Sequence, residues 1–175
     1  MSLENVTAHV SQHLPVEFRD RDDSFDLERR KAQEPFAKAN RLGSHGLAHA
    51  IMQTAIDELR ARAELARTYF FRATSAHGLQ IKSSEVPEMK RFIEAQVRSE
   101  AERVLALFSA RPPFSVTDNS MTIGRFRPPF DEARDRYIVR NNSEIDLWWA
   151  NAFKPVHAPP SNSTTVNITG SGNIV

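Results

Sequence analysis

The sequence predicts an all-α protein, an antiparallel helical bundle built on two long central helices, and three observations predict it. Apolar residues recur at intervals of three and four over long stretches. Most of the ten prolines fall in clusters that divide these stretches, because proline lacks the N–H and its ring crowds the preceding turn. Only two short regions depart from helical patterning. One is a loop or β-hairpin excursion at about 114–130, and the other is a β-prone C-terminal tail.

The first segment, Ser2 to His13, spaces Leu3, Val6, Val10 and Leu14 as one helical face, with Pro15 as its expected stop. "FRDRDDSFDLERRKAQ" is charged and partly helical in pattern, and Pro35 is expected to interrupt it before a short helix ending at Gly43. "SHGLAHAIMQTAIDELRARAELARTYFFRATSA" reads as the longest helix. Ser44 is its cap, and Met52, Ile56, Leu59, Ala63, Ala66 and Phe70 form its stripe. A second long helix spans about Glu85 to Phe108, capped by Ser84, with Pro87 tolerated in its first turn and Met89, Phe92, Ile93, Val97, Ala101, Val104 and Phe108 on one face.

Arg-Pro-Pro-Phe occurs at 111–114 and again at 127–130, bracketing "FSVTDNSMTIGRF". The β-branched residues around Asp118-Asn119-Ser120 suit a hairpin or ordered loop. The first Pro-Pro is expected to stop a helix and the second to precede Asp131 as the cap of the next. Neither copy has the spacing that polyproline-binding grooves read. The last helix carries Ile138, Ile145, Trp148, Trp149 and Phe153, with Asn141-Asn142-Ser143 as a place where it could divide. Two adjacent tryptophans cannot face one way on a helix, so one of them is expected at the core's edge or in a subunit contact.

This gives a helical domain at 1–154, a linker at 155–163 and a β-prone segment at 164–175. Residues 155–175 contain no Lys, Arg, Asp or Glu, and Val166 and Ile168 alternate with polar residues before Gly170-Ser171-Gly172, Ile174 and Val175. Such a segment is too short to hold itself and invites pairing with another chain.

Composition narrows the function. A formal net charge of +1 supplies no overall field for nucleic acid or an anionic membrane. Without cysteine there is no disulfide, thiolate nucleophile or Cys-based zinc site. No apolar run reaches the ~18 residues of a membrane span, and the expected location is the cytoplasm. His9/His13 and His45/His49 each stand four residues apart, which places two imidazoles on one helix face, although neither pair has the further ligands of a metal site. No cofactor is expected.

Arg72 and His77, in "RATSAH", are an arginine and a histidine separated by four residues near the end of the longest helix. In an all-helical protein of this size the pattern is similar to that of HEPN-domain ribonucleases of toxin and phage-defence systems, which work as dimers. The resemblance covers six residues, and the polar residue usual after the arginine is Ala73 here. It implies a metal-independent endoribonuclease with His77 as general base toward an RNA 2′-hydroxyl and Arg72 steadying the phosphate charge. His77-Gly78 fits an ordinary helix C-terminus equally well. The first expectation is therefore a non-enzymatic assembly protein that pairs with itself or another protein. It would use Val166, Ile168, Ile174 and Val175, with Trp148 and Trp149 as further contacts. RNA is a partner only under the alternative.

Overall fold

The computed structural model describes residues 2–40, 44–109 and 119–153, and every regular element among them is helical. The helices are α1 (Leu3–Lys38), α2 (His45–Ala76), α3 (Val86–Ser109) and α4 (Asn119–Phe153), with one 3-10 turn, Ser83–Glu85, leading into α3. The hub is α2, which packs against the other three, while α3 and α4 also pack on each other. Neighbours in sequence run antiparallel. Asp22 of α1 meets Arg62 of α2, and His9 meets His77. Phe70 of α2 meets Phe92 of α3 whereas Arg62 meets Glu100, and Lys90 of α3 reaches Asp146 of α4.

The long helices follow from their stripes. In α1, Leu3, Val6, Val10, Leu14, Phe18 and Phe25 are all buried, so the face expected to end at Pro15 continues through it. Pro15 and Pro35 lie inside one unbroken helix, which corrects the expected stop and the expected short helix before Gly43. Both prolines are exposed. The carbonyls that lose a donor four residues earlier, on exposed Ser11 and Lys31, therefore lie on the solvent side of the helix. A helix-interior proline costs about 3 kcal/mol, and burying the six stripe residues at about 1.5–3 kcal/mol each outweighs two of them.

Ser44 caps α2 as expected, its Oγ accepting from the Leu47 N–H at 3.3 Å. The end of α2 is a Schellman motif: Gly78 N–H donates to the Ser75 carbonyl and Leu79 N–H to that of Thr74, with Gly78 at φ +59°. The entry to α3 differs from the expected Ser84 cap. Ser84 sits within the 3-10 turn, which is closed by the Lys82 N–H donating to Glu85 Oε2 at 2.7 Å.

The described part of the 114–130 excursion is helical and not a hairpin. Residues 119–130 are the opening turns of α4, and 114–118 lie outside the described residues. Pro128 and Pro129 are inside α4, so the second Arg-Pro-Pro-Phe is no bracket. Asp131 does not cap; it accepts from Arg134 Nη1 at 2.7 Å and Arg127 Nε at 3.4 Å within the helix. Packing again decides: Phe130 is buried and Phe126 stands edge-on to Phe108 with ring centroids 6.3 Å apart. Nor does Asn141-Asn142-Ser143 divide α4. Asn141 is buried between Ile138 and Ile145, donates to the Ala63 carbonyl at 2.9 Å and accepts from Arg67. An amide with both ends answered is compatible with a core.

Candidate functional site

Antiparallel pairing of α1 and α2 brings together two groups that stand apart in the sequence. His9, His13 and Glu17 follow one another at four-residue steps on α1, so they form a row along one face. Opposite them, Tyr69, Arg72 and Ala76 form a row on α2, and His77 follows as its terminal cap residue. Between the rows runs a groove of about 260 Å³ lined by His9, Glu17, Leu65, Tyr69, Arg72, Ala73 and Ala76.

Arg72 and His77 do not share a face, since five residues turn a helix by about 140° beyond one revolution. His9 connects them. It lines the groove with Arg72, and its ring stands edge-on to that of His77 at 5.3 Å and beside that of His13 at 4.5 Å. His9/His13 and Arg72/His77 are thus parts of one seam. Arg72, His13 and His77 are exposed and His9 is half-buried. Ala73, the departure from the ribonuclease pattern, is buried against the core, where a small apolar residue fits and a polar one would lose water.

His45 and His49 are exposed at the opposite end of α2. Among the described residues, no group of three or more His, Asp or Glu side chains is arranged to hold a metal ion. Trp148 stacks on Phe71 with centroids 4.5 Å apart and meets Phe153 edge-on at 5.3 Å. Trp149 donates its Nε1–H to the Ile81 carbonyl at 2.9 Å. Both tryptophans are half-buried against the core. Val166, Ile168, Ile174 and Val175 lie outside the described residues. No described helix is long and apolar enough to cross a membrane.

Further along the α1/α2 interface lies a feature the sequence reading missed. Arg62, an i,i+4 partner of Glu58 on α2, has a fully buried side chain. Its Nε donates to Glu58 Oε1 at 2.7 Å, Nη1 to Glu100 Oε2 at 2.6 Å and Nη2 to Asp22 Oδ1 at 2.7 Å, which ties α1, α2 and α3 at one point. Arg21 forks onto Glu58 at 2.9 and 2.6 Å, and Arg103 pairs with the other oxygen of Asp22. Three cations thus balance three carboxylates. Burial pushes the Asp22 carboxyl up, but hydrogen bonds from Arg103 and Arg62 outweigh it and hold it below its ordinary value. Burial opposes the charge on Arg62, and its bonds to Asp22, Glu100 and Glu58 reverse that and raise it. A signal was present: Asp22, Arg62 and Glu100 occupy stripe positions between Phe18 and Phe25, Leu59 and Ala66, and Val97 and Val104.

Comparison with protein-family models, with curated proteins and with solved structures gives no match in any of the three.

Proposed function

We propose that this chain is a non-enzymatic assembly protein. Its helical body carries residues 164–175 as a β-strand that pairs with another copy or with the sheet edge of a partner protein. One juxtaposition carries the proposal: an uncharged segment patterned for a strand is joined to a body with no strand among its described residues. A strand's backbone N–H and C=O groups need partners. The described residues of the body offer no sheet edge to receive them, which supports a complementary strand supplied by a second chain. The partly buried aromatics Phe71, Trp148 and Phe153 form an apolar cluster at the end of α4.

The test compares the full chain with one ending at Lys154, by light scattering and by capture of itself as bait. The expected result is a lower particle mass and lost capture in the shortened chain with its helical circular dichroism intact. Identical behaviour of the two overturns the proposal.

A second reading, RNA cleavage, is favoured by the seam, where His9 lines a groove with Arg72 and stands edge-on to His77. There His77 would take the proton of a 2′-hydroxyl and Arg72 would steady the phosphate. Cleavage lost in both Arg72→Ala and His77→Ala, with helicity unchanged, supports it. Cleavage that survives both substitutions removes it.

A further inference from the structure

We infer that the α1/α2 seam binds a small tetrahedral oxyanion of the phosphate or sulfate class, and binds it more tightly as its imidazoles take up protons. The inference is independent of assembly and requires no bond cleavage. His9 stands 4.5 Å from His13 and 5.3 Å from His77, ring centre to ring centre. Imidazole is the side chain whose charge changes between about pH 5 and 8. Arg72 shares the groove with His9, and among the described residues neither it nor any of the three histidines has a carboxylate partner.

The polar groups lining the groove are His9 and Glu17 from α1 and Tyr69 and Arg72 from α2, and His13 and His77 stand against the ring of His9. Glu17 is the sole carboxylate among the groove's lining residues, so acidification leaves an excess of positive charge. An oxyanion answers it: a guanidinium presents a planar fork of donors, each imidazolium an N–H and the tyrosine an O–H. The groove volume of about 260 Å³ admits a tetrahedral anion with room to spare. Its apolar lining residues, Leu65, Ala73 and Ala76, would meet any apolar group the anion carries. The imidazoles are not set for a metal ion, whereas an anion needs only N–H groups directed toward it.

The experiment is calorimetric titration of the full chain with sulfate, whose charge is constant over the range used, at about pH 5.5 and about pH 7.5, with ionic strength held by chloride. Affinity is expected to be about tenfold higher at the acid pH, as for net uptake of one proton over a unit of pH. His9→Gln should flatten this dependence, and Arg72→Ala should weaken binding at both values. In the wild-type chain, sulfate should move the imidazole NMR signals of His9, His13 and His77 while those of His45 and His49 stay in place, a readout that needs no variant. Parallel titrations with inorganic phosphate and a uridine monophosphate distinguish a free anion, bound equally well in both forms, from a nucleotide-borne one, bound more tightly. Affinities within twofold at the two pH values, or equal shifts at these five of the chain's six histidines, overturn the inference.

Discussion

Two stretches of the α1/α2 interface treat polar groups in opposite ways. Around Arg62, three arginines and three carboxylates from three helices are interlinked, with the central guanidinium removed from water. Around His9, three imidazoles, Arg72 and Glu17 lie together with no ion pair among the described residues and with most of them open to solvent. A buried, fully answered network fixes which residues face one another, since sliding α1 by one turn would part Asp22 from Arg62 and Arg103 and Arg21 from Glu58. An exposed, unanswered cluster fixes nothing in the fold and leaves its donors free for a ligand. The first stretch ties three helices together, and the second is the candidate site.

This contrast is broken most strongly by Arg62→Met. The change leaves Asp22, Glu58 and Glu100 buried or half-buried without their central cation, and a loss of about 3–5 kcal/mol in denaturant unfolding is expected. A loss below about 1 kcal/mol would mean that the network does not hold the helices in register.

A smaller and pH-dependent effect is expected from Asp22→Asn, which weakens charge-assisted bonds from Arg62 and Arg103 worth about 1.5–3 kcal/mol each in such settings. Because the folded chain holds Asp22 below its ordinary value of 3.8, its stabilising charge is fully present above that value and is lost as pH falls through the depressed one. The difference between wild type and Asp22→Asn should therefore be constant near neutrality and close below about pH 4. A gap that persists in acid would contradict the assigned role of the carboxylate.

The smallest effect belongs to the seam. His13→Ala removes an exposed ring, and stability should stay within about 0.5 kcal/mol. A loss of several times that size would move the histidines from the chemical side of the comparison to the architectural one.

Much of the architecture was legible because apolar spacing reports burial directly. The stripes of α2 and α3, the Ser44 cap and the His77-Gly78 end all stand where spacing and cap chemistry put them. Proline misled in α1 and α4, where Pro15, Pro35, Pro128 and Pro129 sit inside helices. Local propensity names the cost of a missing N–H, but it does not weigh that cost against a stripe that continues on the other side, as Phe18 and Phe25 do beyond Pro15. Asn141 misled in the same way, since its partner Ala63 is 78 residues distant. The seam was half legible. Each pair could be singled out by spacing, but their meeting depends on the antiparallel register of α1 and α2, which a single chain of letters does not state.

The proposed assembly role rests on residues 164–175 finding a strand outside their own chain, and amide hydrogen exchange of the purified particle addresses that directly. The account predicts slow exchange at the amides from Val166 to Val175 in the assembled protein, returning to fast exchange on dilution to single chains. Fast exchange throughout this segment in the intact particle would contradict it.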